Sequence, residues 1–176
     1  MKNNIVLIGF MGCGKTTVGT ELAKEMNYDF LDTDQYIESK ERMTINDIFA
    51  QNGEEYFRKL ETDSLADLVK DTEKTIVSSG GGLPLREENA RLLQELGFVV
   101  YLRVTKETVL KRLEGDTTRP LLACDNPAKK VEELLDYRDP IYEIGAHLVI
   151  DVDNKTVEEI IEEIKRNYLI MQNVTI

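Results

Sequence analysis

Histidine occurs once, at position 147, and cysteine only twice, at 13 and 124. A lone imidazole excludes a histidine-built zinc site or triad. Because His147 opens an apolar, strand-like run, it reads as structural. The cysteines stand too far apart in sequence for a metal or redox pair motif, which fits a reducing cytoplasm. No apolar run approaches the length that crosses a bilayer. Lys2 ahead of the apolar residues from Ile5 looks like the front of a signal peptide. Glycines and Lys15 soon break that run and no small-residue cleavage site follows, so the chain reads as soluble and untargeted. Basic residues are outnumbered, 22 Lys and Arg against 33 Asp and Glu, for a formal charge of −11. That field repels nucleic acid and acidic membranes, and neither is expected as a partner. An anionic substrate must therefore be caught by a few placed cations. Repeats, low-complexity tracts and flexible linkers are also missing, so the 176 residues read as one continuous domain, 1–176.

What the chain does contain begins at Gly9. Gly9-Phe10-Met11-Gly12-Cys13-Gly14-Lys15-Thr16 matches G-x-x-x-x-G-K-[ST], whose glycines let backbone N–H groups curl around phosphate oxygens. Lys15 brings a charge to the outer phosphates and the Thr16 hydroxyl can ligate Mg²⁺. A β-branched apolar run, Ile5–Ile8, precedes the loop, and Val18, Leu22 and Met26 follow on one helical stripe. Further strands are expected at Asp29–Leu31, Thr75–Ser78, Phe98–Val104 and His147–Asp151, alternating with helical patterns. Such alternation implies an α/β fold with a parallel sheet, in which ligands bind beyond the carboxyl ends of the strands.

Polar residues gather at those ends. Asp32-Thr33-Asp34 closes the second strand, and Ser79-Gly80-Gly81-Gly82 follows the third. On an extended segment Asp32 and Asp34 would share a face, which near a phosphate loop suits one to the metal side and the other to the base. The bland alternative is a pair of carboxylates capping the next helix. Three consecutive glycines suggest close approach of a ligand to bare backbone, with N–H donors. Arg58 is either half of a surface pair with Glu61 or a carboxylate-binding fork that Glu61 orients. Arg138 either pairs with Asp139 or serves the site. Arg119 lies in Glu114–Asn126, a stretch with the composition of a mobile loop that closes over phosphates. Between Asp34 and the third strand the chain stays away from the sheet for about 40 residues, longer than an ordinary crossover, with Thr44 as helix cap. The third strand ends without the acidic residue of most motor ATPases. Asn154-Lys155-Thr156-Val157 lacks the final Asp of a guanine-reading motif, which weighs against a switch protein.

Taken in order, Gly9–Thr16, Phe30-Leu31-Asp32-Thr33-Asp34, Phe57-Arg58-Lys59-Leu60-Glu61, Gly80-Gly81-Gly82, Arg119-Pro120-Leu121-Leu122 and Arg138-Asp139-Pro140-Ile141-Tyr142 resemble the shikimate kinase family over nearly the whole chain. The resemblance implies a P-loop kinase fold of the nucleoside-monophosphate-kinase type. Its five-stranded parallel sheet is flanked by helices and carries a shikimate-binding insertion at 33–61 and a lid at 112–126. It implies transfer of the ATP γ-phosphoryl group to the 3-hydroxyl of shikimate, on the route to chorismate and aromatic amino acids. Carried over by residue, Gly12, Cys13, Gly14, Lys15, Thr16, Thr17 and Arg119 bind ATP. Thr16 ligates Mg²⁺ and Asp32 supports the metal through water. Asp34 holds substrate hydroxyls and acts as base, while Lys15 and Arg119 neutralise charge on the phosphoryl in transit. Arg58 and Arg138 grip the carboxylate beside the Gly80, Gly81 and Gly82 backbone, against an apolar wall of Phe49 and Phe57. Lys155 is the one candidate for the adenine side. Cys13, Thr33 and Ser79 depart conservatively from the commonest family pattern. A gluconate kinase, the nearest rival, is not expected to combine Asp-Thr-Asp, Phe-Arg and Gly-Gly-Gly. A nucleoside monophosphate kinase would need more than one arginine in the insertion. No heptad or long exposed apolar stripe argues for assembly, so a monomer is expected.

Overall fold

The computed structural model describes residues 2–113 and 126–174. Five short strands carry the architecture: β1 (Ile5–Ile8), β2 (Asp29–Asp32), β3 (Thr75–Ser78), β4 (Phe98–Arg103) and β5 (Leu148–Asp151). All pair in parallel, in the order β2-β3-β1-β4-β5. β1, wholly apolar, and β3, with Ile76 and Val77 between Thr75 and Ser78, are buried at every residue, as befits central strands covered on both faces. Helices α1 (Lys15–Met26), α2 (Thr33–Glu41), α3 (Ile45–Asp71), α4 (Glu87–Leu96), α5 (Lys106–Arg112) and α6 (Pro127–Gly145) lie between the strands, and α7 (Val157–Val174) follows β5. The expected alternation of strand and helix is therefore present, with strand bounds within a residue of expectation.

Two apolar cores lie on opposite faces of the sheet. One gathers Leu7, Leu22, Val100, Ile161 and Tyr168, the other Val6, Leu65, Val77, Leu93 and Tyr142. A third, smaller core lies apart from the sheet, where Ile37 of α2 meets Ile48 and Phe57 of α3. Thr44 caps α3 by accepting from the Asp47 N–H, as expected. The helix bends at Gly53, whose φ of 83° and ψ of 173° lie outside the helical region. The bend directs the segment carrying Arg58 and Glu61 back toward the sheet edge.

The carboxyl ends of β1, β2 and β3 lead into the Gly9 loop, the Asp32–Asp34 corner and the Gly80–Gly82 turn. Of the segment 112–126, only Arg112, Leu113 and Asn126 are described, and Arg119 lies outside the described residues.

Candidate active site

A cavity of about 530 Å³ opens at this edge, lined by Gly12, Cys13, Gly14, Lys15, Thr16 and Thr17 together with Asp32, Asp34, Ser79, Gly80 and Gly81. The loop's shape depends on its glycines. Gly9, Gly12 and Gly14 take φ values of 145°, 76° and 102°, in the region that disfavours a side chain. At Gly9 a Cβ would also press to 2.7 Å from the Leu102 carbonyl oxygen. Lys15 curls back, its Nζ donating to the Gly9 and Phe10 carbonyls at 2.8 and 3.0 Å, so its charge is held over the loop. Cys13 is buried, with Sγ 3.6 Å from the same Nζ.

The expectation that Asp32 and Asp34 share an extended face does not hold. The chain turns into α2 at Thr33, and Asp32 caps that helix, accepting from the Asp34 and Gln35 N–H groups at 3.0 and 3.3 Å. Its other carboxylate oxygen accepts from the Ser78 hydroxyl at 3.1 Å. Capping and site geometry are thus the same arrangement, because the cap fixes Asp34 in the first turn with its side chain toward the glycines. Burial and then the Asp32 charge raise the Asp34 carboxyl to about 6, against the opposing pull of Lys15.

Gly80–Gly82 are glycines for a different reason from the loop. None has positive φ. A Cβ on Gly80 would lie 2.6 Å from Asp34 Oδ1, and one on Gly82 would lie 2.8 Å from Arg58 Nη1. At Gly81 it would stand 3.6 Å from Arg138 Nη1. At Gly80 and Gly82 the missing side chains make room for the protein's own charged groups, whereas a Cβ at Gly81 would only touch Arg138, and the Gly80 N–H is already engaged, donating to the Thr33 hydroxyl at 2.9 Å. The turn therefore gathers Asp34, Arg138 and Arg58, three residues far apart in sequence, along three consecutive positions.

Arg58 is no surface partner of Glu61. The Glu61 side chain is only 2% exposed and accepts from Arg58 Nη1 at 2.8 Å, while Glu54 accepts from Nη2 at 3.2 Å. Burial holds the Glu61 carboxyl above its ordinary range, with Arg58 opposing. Arg138 is buried, with its guanidinium 5.6 Å from the Phe10 ring centroid. It does not pair with Asp139, which instead accepts from the Tyr101 hydroxyl at 2.6 Å. Phe57 belongs to the small core of the α2–α3 unit at 4% exposure. That leaves Phe49, half-buried and 4.8 Å from it, as the ring with a face to spare.

Several contributors escaped the motifs. Arg112 donates to the Gly12 carbonyl at 2.8 Å and lines the cavity. Arg86 joins Arg58 and Arg138 around a neighbouring depression. The Ser78 hydroxyl braces the corner through Asp32, with its place at a strand end as the available signal, and Thr33, already within the Asp-Thr-Asp motif, braces it through the Gly80 N–H. Lys155 reaches the cavity with Val157 and Ile160 while paired to Glu163. His147 is structural as expected, its Nδ1 accepting from the Val99 N–H at 2.9 Å.

The shikimate kinase family model matches residues 11–168. A shikimate kinase of Caldanaerobacter subterraneus is 40% identical over 94% of this chain and 96% of its own. One of a Sulfurihydrogenibium species is 46% identical over 92% and 95%. Among solved structures, shikimate kinase from Acinetobacter baumannii in complex with shikimate superposes with a TM-score of 0.88 at 39% identity, covering 98% of this chain and 95% of that one.

Proposed function

The chain belongs to the shikimate kinase family, and on that premise we propose that it transfers the γ-phosphoryl group of ATP to the 3-hydroxyl of shikimate with Asp34 as base. The observation that carries the residue assignment is the placement of Asp34 between the phosphate loop and the glycine turn. A carboxyl at about 6 is ionised at neutral pH yet more basic than an ordinary aspartate, which suits it to take a hydroxyl proton. In the step, the acceptor oxygen forms a bond to the γ-phosphorus, the bond from phosphorus to the bridging oxygen of ADP breaks, and the proton passes to Asp34.

Gly12, Cys13, Gly14, Lys15, Thr16 and Thr17 take the phosphates, and Lys15 neutralises charge on the group in transit. Arg119 shares that task as part of a 112–126 lid, and Lys155 lies on the adenine side. Within the 33–61 insertion, Arg58 acts with Arg138 on the acceptor carboxylate, beside Gly80, Gly81 and Gly82. The donor set also fits Mg²⁺. Thr16 and Asp32 offer hard oxygens in one cavity, and an ion that keeps most of its waters needs only such sparse protein ligation. Held there by Thr16 and, through water, Asp32, Mg²⁺ would neutralise charge on the transferring phosphoryl group. The two cysteines, Cys13 and Cys124, too far apart in sequence for a metal or redox pair motif, support a cytoplasmic setting.

Asp34→Asn tests the assignment. Turnover should fall by at least about a hundredfold through loss of the base, while calorimetry still detects ATP binding. Retained turnover, or lost ATP binding, contradicts the role given to Asp34.

A further inference from the structure

One turn beyond Arg138 on α6 stands Tyr142, fully buried and outside every role assigned above. Its hydroxyl donates to the Gly81 carbonyl at 2.5 Å. The Arg138 guanidinium, carried one turn earlier on the same helix, reaches the same glycine. Both groups converge on Gly81, where the space of a side chain would lie 3.6 Å from Arg138 Nη1 and 3.7 Å from the Tyr142 hydroxyl. The Tyr142 ring is itself held, packed at 5.1 Å against Tyr101, whose hydroxyl is bonded to Asp139. Burial pushes the Tyr142 hydroxyl up to about 12, so it remains a neutral donor wherever the enzyme works.

The contrast with Arg58 gives this contact its meaning. Arg58 is oriented by two carboxylates, Glu61 and Glu54, which partly neutralise it. Arg138 has no carboxylate partner among the described residues, and its buried Nε has no hydrogen-bond partner there. A neutral hydroxyl that fixes α6 against the glycine turn beside the guanidinium places Arg138 without consuming its charge, leaving that charge to an incoming anion.

We propose that Tyr142 is a positioning residue for acceptor binding: its hydroxyl ties α6 to the glycine turn and sets the Arg138 guanidinium at the height of the acceptor carboxylate. The proposal rests on the assignment of Arg138 to that carboxylate. Tyr142→Phe removes one hydroxyl and leaves the ring packed on Tyr101. The shikimate KM should rise about five- to tenfold, the scale of one lost hydrogen bond next to a charge, with smaller changes in kcat and in the ATP KM. A merely structural role would instead lower the melting temperature and move both KM values together. In an Arg138→Ala background the same substitution should change the shikimate KM by less than about twofold, because its effect runs through Arg138. An unchanged shikimate KM in Tyr142→Phe, equal changes in both KM values, or a full additional factor in the Arg138→Ala background overturns the proposal. If Arg138→Ala alone leaves the shikimate KM unchanged, the carboxylate assignment falls and the proposal with it.

Discussion

Asp34 owes its chemistry to burial and to four charged neighbours, Asp32, Lys15, Glu38 and Arg58, that sequence spacing connects only in part. Burial and the charge of Asp32 raise its carboxyl from 3.8 to about 6, while Lys15 and Arg58 pull the other way. Between those two values the folded chain holds the proton more tightly than the unfolded chain does. Stability contributed by this group therefore falls as pH rises through that window. Above it, the ionised carboxylate costs the free enzyme on the order of 1 to 2 kcal/mol after allowance for its partial exposure. Asp34→Asn should accordingly melt above the wild type at pH about 8 and alongside it below pH about 4, as read by thermal denaturation in the two buffers. A variant that melts lower at the higher pH would show that Asp34 is not strained by its surroundings. The wild-type kcat/KM for shikimate should also climb with pH and level off above about 6, since kcat/KM reports groups of the free enzyme. A profile flat from pH about 5 to 8 would contradict a base in that range.

At the scale of elements, the glycine turn after β3 and the short turn before β4 use glycine to opposite ends. A Cβ on Gly82 meets the far end of Arg58 at 2.8 Å, a group that can swing aside. A Cβ on Gly97 meets the Asn4 carbonyl oxygen at 2.4 Å, backbone that already accepts from the Phe98 N–H where β1 and β4 begin and cannot yield. Gly82→Ala should therefore leave the melting temperature within a few degrees of the wild type and raise the shikimate KM about tenfold by displacing Arg58. Gly97→Ala should cost on the order of 2 to 4 kcal/mol of stability, seen in urea unfolding, and alter the KM of the correctly folded fraction little. Reversed phenotypes would separate Gly82 from acceptor binding. The glycine run itself was legible in the sequence, but its reason was not. Which groups occupy the space of the missing side chains depends on long-range placement of Asp34 and Arg58. The strands were legible for the converse reason: Ile5–Ile8 and Thr75–Ser78 carry local apolar patterns that need no partner to be recognised. The corner at Thr33 was misread as extended because helix entry there depends on Asp32 satisfying N–H groups, a choice that alternation of charges does not reveal.

For the molecule as a whole, three layers position one edge. The sheet order β2-β3-β1-β4-β5 brings the ends of three strands together although they lie near residues 8, 32 and 78. Periodicity predicts parallel strands but cannot predict which are neighbours, because pairing is decided by crossovers. The third small core of Ile37, Ile48 and Phe57 makes the α2–α3 unit a compact body rather than a loose excursion, and the bend at Gly53 aims its Arg58 at the edge. The pairing of Arg58 with Glu61 was open to sequence reading as one of two alternatives, whereas the bond from Tyr142 to Gly81 was not, since it joins α6 to a turn 61 residues away. Against a net charge of −11, the cavity and the neighbouring depression gather Lys15, Arg58, Arg86, Arg112, Arg138 and Lys155, and acceptor choice rests on the few of these that reach the acceptor. The most direct measurement of that claim is ADP release from Mg·ATP with shikimate, gluconate or AMP as the sole acceptor. Shikimate should drive turnover well above the acceptor-free rate while the other two do not; a shikimate rate no higher than the acceptor-free background would contradict the account.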